Sequence, residues 1–140
     1  MLSTESLPRP AARVAAISTR FQKFLLVGGI GLVVNQGALF ALVTMLGTPV
    51  LWASPVAIAL SMAVTFLLNE RWTWRDRGSG PILHRAMLYG SINSGGLLIN
   101  WGVLISLEAI GINYLLANLI GAGIAAVWNF SLNHAVTWRK

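Results

Sequence analysis

The chain has 140 residues, of which 56% are hydrophobic and only 10% charged, and its mean hydropathy is +0.70. Soluble domains carry about 25% charged residues, so this composition excludes an ordinary soluble domain. The chain contains no cysteine, which excludes disulfide bonds, a thiol nucleophile and thiolate metal sites.

The few charged residues leave long uncharged stretches between them. No Asp, Glu, Lys or Arg occurs in the 46 residues after Lys23, the 22 after Arg85 or the 30 after Glu108. A membrane-spanning helix needs about 20 mostly apolar residues. We therefore predict an all-α membrane protein with four spans, at residues 24–46, 51–69, 86–107 and 113–133. Because these spans take up most of the chain, we expect it to contain no catalytic domain and not to be an enzyme.

The basic residues are confined to three regions, which are the start of the chain, the central loop between the second and third spans, and the last two residues. Basic loops are retained on the cytoplasmic side, so we predict a multi-pass protein of the cytoplasmic membrane whose termini and central loop face the cytoplasm. The net charge of +6 then favours the anionic membrane surface over a nucleic acid as a partner. Residues 1–20, with Pro8 and Pro10, are predicted to be a flexible basic cytoplasmic tail that precedes a transmembrane domain at 21–140.

The sequence contains an internal similarity. Residues 65–75 align without a gap on residues 129–139, and residues 31–35 align on residues 96–100. The offsets are 64 and 65 residues. The similar segments belong to two repeat units with two predicted spans each, so we predict two tandem helical hairpins of the same orientation, at 21–77 and 84–140, like the parallel repeats of some transporters.

Small and polar residues recur every four positions along the second span, including Ser61, Thr65 and Asn69, and along the fourth span, including Asn129 and Asn133. Residues at this spacing share one face of a helix. Close helix packing explains the alanines and glycines of these faces. Packing does not require amides near the cytoplasmic ends, so we interpret those positions as a polar binding site.

Asn35 and Asn100 lie near the middle of the first and third spans, and Asn93 shares a face with Asn100. An unpaired amide is costly in the hydrocarbon region. Two explanations remain open: a hydrogen bond between helices, or the lining of a translocation path. In the second case Asn35, Asn93 and Asn100 would line that path together with Ser61 and Thr65.

Arginines follow the second and fourth spans as Arg71, Arg75 and Arg139. A guanidinium group binds phosphate oxygens through two parallel hydrogen bonds. We therefore hypothesise that these arginines bind a lipid phosphate together with Asn69, Asn129 and Asn133. The neighbouring tryptophans are predicted to be membrane-interface anchors; they are Trp72, Trp74 and Trp138.

The segments 24–35 and 66–74, with Phe130, Asn133 and the closing Thr137-Trp138, resemble the GtrA family over most of residues 21–140. Trp74 and Trp138 stand where many members have Phe. The resemblance implies a small membrane protein of cell-surface polysaccharide synthesis that moves polyprenyl-phosphate-linked sugars across the cytoplasmic membrane, or that assists the glycosyltransferases using them.

The resemblance thus leaves two functions open. In the first, the chain translocates a polyprenyl-phosphate-linked sugar; in the second, it is a membrane scaffold that recruits a glycosyltransferase and transports nothing. A homo-oligomer is expected because four helices can scarcely enclose a sugar. A small multidrug exporter is disfavoured, since such carriers depend on an acid within the membrane and residues 24–46 contain none. No cofactor, metal site or catalytic residue is predicted.

Overall fold

The computed structural model describes residues 8–140, except the side chains of residues 114 and 115. Four α-helices account for most of this part of the chain, and it contains no strand. The helices are α1 (Arg9–Phe40), α2 (Val50–Leu68), α3 (Ile82–Ala109) and α4 (Tyr114–Leu132). The prediction of an all-helical protein is confirmed.

Three of these helices continue directly into a π-helix of 5 residues, in which the turn is wider than in an α-helix. The π-helices are Ala41–Met45 after α1, Asn69–Thr73 after α2 and Asn133–Thr137 after α4. The last two begin at Asn69 and Asn133, which the alignment of the internal repeat places at equivalent positions.

The chain divides into two compact units, the first ending at Arg75 and the second comprising Asp76–Lys140. In unit 1 α1 packs on α2, and in unit 2 α3 packs on α4. Small side chains such as Ala53, Ala57 and Ala117 are fully buried in these contacts, whereas large ones such as Leu32 and Val33 are exposed. This distribution is typical of helices that pack in lipid, where large apolar residues face the acyl chains.

Glycines allow the two helices of each unit to approach closely. A Cβ atom added to Gly31 would collide with Thr65 of α2, and one added to Gly96 would collide with Asn129 of α4. At Gly121 an added Cβ would meet both the side chain and the backbone of Asn100. The small-residue faces are thus packing surfaces in both units.

Three segments of the described chain are long and apolar enough to cross a membrane: Arg9–Met45, Val50–Thr73 and Leu116–Thr137. The sequence predicted four spans, and α3 is not among the three. Its 28 residues are sufficient in length, but the serines and asparagines at Ser91, Asn93, Ser94 and Asn100 lower its hydropathy. The apolar character expected of a span is therefore shown for α1, α2 and α4.

The start of the described chain also differs from the prediction of a flexible tail at 1–20. Residues 9–20 are helical and belong to α1, while residues 1–7 lie outside the described part. Pro10 lies in the first turn of this helix, where its missing N–H is not needed. The segment Arg9–Met45 has 37 residues and is about 55 Å long at about 1.5 Å per residue, which exceeds the hydrocarbon core of about 30 Å.

Candidate functional site

The end of α2 is held by a buried asparagine. Asn69 is 1% exposed, and its side-chain Oδ1 accepts a hydrogen bond of 2.9 Å from Thr73 Oγ1. Its backbone carbonyl accepts the Trp74 N–H at 2.9 Å, which closes the wide π-helical turn. The Trp74 indole is fully buried and contacts the Phe24 ring edge-on at 5.9 Å between centroids. These contacts fix the end of α2 against α1.

The end of α4 in unit 2 has the same set of contacts. Oδ1 of the fully buried Asn133 accepts a hydrogen bond of 2.7 Å from Thr137 Oγ1, and its backbone carbonyl accepts the Trp138 N–H at 2.9 Å. The buried Trp138 ring contacts Tyr89 of α3 edge-on at 5.7 Å. Nδ2 of Asn133 additionally donates to the Asn129 carbonyl at 2.8 Å.

These contacts correct part of the sequence interpretation. Trp74 and Trp138 are each 0% exposed and are core residues, so their prediction as membrane-interface anchors is wrong; Trp72, at 40% exposed, remains compatible with that role. Asn69 and Asn133 lie in the core, where their side chains accept hydrogen bonds from Thr73 and Thr137 at the helix ends. Their role in binding a ligand stays a prediction, and in this conformation it would be indirect, through the position of the neighbouring arginines.

Three arginines are engaged in contacts within their own unit. Arg20 Nη1 donates to the Thr73 carbonyl at 3.0 Å. Arg85 is 9% exposed and donates to the Gly80 carbonyl at 2.7 Å, which holds the end of the connection that precedes α3. Nη1 of Arg77 lies 2.7 Å from Nε2 of His134. These cations therefore stabilise the fold at the helix ends.

The three arginines predicted to bind phosphate are available for a ligand. Arg71, Arg75 and Arg139 are exposed, and their guanidinium groups make no hydrogen bond or ion pair within residues 8–140. Arg71 and Arg75 belong to unit 1, whereas Arg139 belongs to unit 2. Next to Arg71, the Trp72 ring lies 5.5 Å from Nζ of Lys23, a cation–π contact. Each unit thus presents free cations where a membrane-spanning helix ends.

The hydroxyl groups predicted to line a translocation path in unit 1 lie between α1 and α2. Ser61 Oγ donates to the Gly31 carbonyl at 2.6 Å, and Thr65 Oγ1 donates to the Ser61 carbonyl at 2.9 Å. Asn35 is half-buried on α1, and its amide makes no side-chain hydrogen bond in the described part of the chain. Asn35 thus retains both the donor and the acceptor of its amide, whereas Ser61 and Thr65 use their hydroxyl donors within the fold.

The asparagines of unit 2 are only partly satisfied. Asn93 Nδ2 donates to the Tyr89 carbonyl at 2.8 Å within α3. Asn100 Nδ2 lies 3.3 Å from Oδ1 of Asn118 on α4, while its own Oδ1 is buried without a partner. Oδ1 of Asn129 is also buried without a partner among the described residues. The amide of Asn100 therefore forms the interhelical hydrogen bond that was one of the two explanations left open.

Sequence reasoning missed the residues that hold the helix ends from the neighbouring helix. They are Arg20 and Phe24 on α1 and Tyr89 on α3; Arg85 on α3, also missed, holds the connection that precedes its own helix. The signal was present, because the offset of 65 residues that aligns Gly31 with Gly96 also aligns Arg20 with Arg85 and Phe24 with Tyr89. Extending the alignment toward the start of each hairpin would have found them.

Comparison with known proteins places these features in a family. Residues 23–138 match the family described as GtrA/DPMS, transmembrane domain. The chain is also 35% identical over 119 residues to a protein of Pyrococcus furiosus named dolichol-phosphate mannosyltransferase. That match covers 85% of this chain but 34% of the relative, so the chain spans about a third of the relative's length.

Proposed function

Because the chain belongs to the GtrA/DPMS transmembrane-domain family, we propose that it translocates a polyprenyl-phosphate-linked sugar across the cytoplasmic membrane for the synthesis of a cell-surface glycan. The supporting observation is the exposure of unpaired guanidinium groups at the ends of helices that can span a membrane. Such groups can bind a phosphate through paired hydrogen bonds while the isoprenoid chain of the same molecule stays in lipid.

The residues have distinct roles in this proposal. Arg71 and Arg75 receive the phosphate at the inner membrane surface, and Arg139, at the equivalent position of unit 2, adds positive charge to that surface. Asn69 and Asn133 keep these arginines in place, because Asn69 closes the π-helical turn that contains Arg71 and precedes Arg75, and Asn133 closes the one that precedes Arg139. Basic residues near an anionic membrane surface also attract its lipids, by about 1 kcal/mol each.

Amides provide the deeper part of the proposed path. Asn35, Asn93, Asn100 and Asn129 offer hydrogen bonds to sugar hydroxyl groups along the hairpins, with Ser61 and Thr65 beside them on α2. The buried Oδ1 atoms of Asn100 and Asn129 support this role, since each is without a hydrogen-bond partner in the described chain. We further propose a homo-oligomer, because four helices enclose too little space for a sugar.

Translocation is tested with the full chain in vesicles of phosphatidylethanolamine and phosphatidylglycerol that contain a fluorescent short-chain isoprenyl-phosphate hexose. Wild-type protein should accelerate its exchange between leaflets, measured by access of a membrane-impermeant quencher. We expect Arg71→Ala combined with Arg75→Ala to slow the exchange at least tenfold, because each charge-assisted hydrogen bond contributes about 1.5–3 kcal/mol. Arg13→Ala, which removes an exposed cation from the start of α1, should leave exchange unchanged. Exchange no faster than in protein-free vesicles would contradict the proposal.

A second function is favoured by the comparison itself. The relative is named as a transferase, and the region similar to this chain is 34% of it, so a membrane domain of this kind occurs as part of a longer enzyme. The alternative proposal is that this chain recruits a separate membrane glycosyltransferase. Asn35→Leu distinguishes the two functions without breaking a side-chain hydrogen bond. A translocation path predicts a loss of surface glycosylation in cells with this variant, whereas a scaffold predicts full glycosylation.

A further inference from the structure

We propose that unit 1 carries the phosphate-binding site for the lipid headgroup, on a surface formed by Lys23, Arg71, Trp72 and Arg75, and that the equivalent end of unit 2 does not. We call these four residues the unit 1 basic cluster. This inference rests on the proposed function and assigns its headgroup site to one unit. The ligand chemistry is a phosphate ester with an apolar chain.

The argument begins with a framework that is present in both units. In each unit a buried Asn accepts a Thr hydroxyl group, its carbonyl closes a π-helical turn at a buried Trp, and that Trp contacts an aromatic ring on the preceding helix. Because these contacts are the same, the exposed positions around them can be compared one by one. The framework explains why the buried residues are alike without reference to a ligand.

The exposed positions differ at three of four places. The sequence offsets align Lys23 with Leu88, Arg71 with Ala135 and Trp72 with Val136. Only Arg75 has a basic counterpart, Arg139. At these four positions unit 2 thus lacks two cations and the exposed indole, while its Lys140 aligns with Asp76. Packing at the helix ends requires the same residues in both units, so packing does not explain this difference. Binding of a ligand by unit 1 explains it.

The contacts within the cluster fit a lipid phosphate. Nζ of Lys23 lies 5.5 Å from the centre of the Trp72 ring, which is 40% exposed. The guanidinium groups of Arg71 and Arg75 are exposed and unpaired among residues 8–140. Two acids neighbour the cluster, the half-buried Glu70 and the exposed Asp76, and both already have an interaction within the fold. Three cations are therefore available for phosphate oxygens, and the indole provides an apolar surface at the depth of the headgroups.

The proposal is tested by binding of farnesyl phosphate to the full chain in uncharged detergent, measured by calorimetry, with farnesol as the probe that lacks phosphate. The triple variant Lys23→Leu, Arg71→Ala, Trp72→Val gives unit 1 the residues found in unit 2. We expect it to bind farnesyl phosphate at least tenfold more weakly than the wild type, whereas Arg139→Ala should change the affinity less than threefold. Arg13→Ala is the control for loss of one exposed charge.

The outcomes are distinct. The assignment to unit 1 would be overturned if the triple variant kept the wild-type affinity, or if Arg139→Ala lost as much affinity as the triple variant. Equal binding of farnesol and farnesyl phosphate would also overturn it. If the triple variant unfolds, Arg71→Lys and Trp72→Val are measured separately, and unchanged affinity in both overturns the proposal. Full competition by phosphatidylglycerol supports a general lipid-phosphate site, and absence of competition supports an isoprenyl-phosphate site.

Failure of this inference is distinguishable from failure of the proposed function. If wild-type protein exchanges the lipid between leaflets and the triple variant does so equally well, translocation stands and the unit 1 site is excluded. If farnesyl phosphate binds at the cluster but no exchange occurs, the site stands and translocation is excluded.

Discussion

Asn69 and Asn133 show how much a single buried amide determines at the residue scale. Each asparagine joins its helix end to two later residues, one through its side chain and one through its backbone carbonyl. A buried acceptor that loses its donor costs about 1–3 kcal/mol. Since the neighbouring tryptophans are packed against the same turns, the hydrogen bonds and the aromatic contacts depend on one another. The backbone positions of the exposed Arg75 and Arg139, which directly follow these tryptophans, are therefore fixed by the same contacts.

The hydroxyl group of Thr137 is therefore expected to contribute to stability. Thr137→Val removes the donor to Asn133 Oδ1 while nearly preserving volume, and we expect it to lower the free energy of unfolding by about 1–3 kcal/mol. Thr44→Val is the control, because Thr44 is exposed and makes no side-chain hydrogen bond in the described chain. Denaturant titration of both variants in detergent micelles checks this. Equal stability of the two would show that the buried hydrogen bond contributes nothing.

At the scale of elements, the pairs α1–α2 and α3–α4 are held together by small residues rather than by large apolar ones. Apolar side chains gain little by leaving lipid, so close backbone approach, dispersion and interhelical hydrogen bonds stabilise such pairs. Gly31, Gly96 and Gly121 each lie where an added methyl group would strike the neighbouring helix. The hydrogen bond from Ser61 to the Gly31 carbonyl depends on the same close approach.

Two glycines of α4 provide a matched test of this packing. A Cβ atom at Gly121 would meet the backbone of Asn100, which cannot rotate away, whereas nothing lies within 4 Å of one at Gly123. We expect Gly121→Ala to lower the free energy of unfolding by about 1–3 kcal/mol. Gly123→Ala should preserve or raise stability, since Ala is the better helix former. A similar response of both variants in thermal unfolding would contradict this packing of α3 on α4.

At the scale of the whole molecule, the arrangement in the membrane follows from charge. Basic residues occur at the start of the chain, between α2 and α3, and at the end, while the connections at residues 46–49 and 110–113 contain none. Retention of basic segments in the cytoplasm predicts four crossings, although α3 is less apolar than the other three helices. An α3 that crosses the membrane would need its polar residues to face protein rather than lipid.

This topology can be measured by single-cysteine labelling, because the chain has no cysteine of its own. We expect Arg13→Cys, Ser79→Cys and Lys140→Cys to react with a membrane-impermeant maleimide only from the cytoplasmic side. Leu46→Cys and Ile110→Cys, both at exposed positions, should react only from the opposite side. Labelling of positions 79 and 110 from the same side would show that α3 does not cross the membrane.

The sequence by itself determined the helices, because uncharged apolar stretches of sufficient length have no better conformation in lipid. It also predicted which arginines could bind phosphate, since their position beyond an apolar helix is visible in the sequence, but only the structure showed that Arg71, Arg75 and Arg139 are unpaired among residues 8–140. The helical conformation of residues 9–20 was not predicted, because Pro8, Pro10 and the basic residues indicated a flexible tail, although the four alanines of this segment favour a helix.

Only the tertiary structure decided which polar and aromatic residues face inward. Trp74 and Trp138 have the sequence context of interface anchors, but each follows a wide π-helical turn and lies in the core. There Trp74 contacts Phe24 and Trp138 contacts Tyr89. These contacts join residues about fifty positions apart, so no local pattern encodes them. Asn69 and Asn133, at the start of these turns, are buried as well, whereas Arg75 and Arg139 are exposed, because burial depends on which residues of the neighbouring helix lie at the same level.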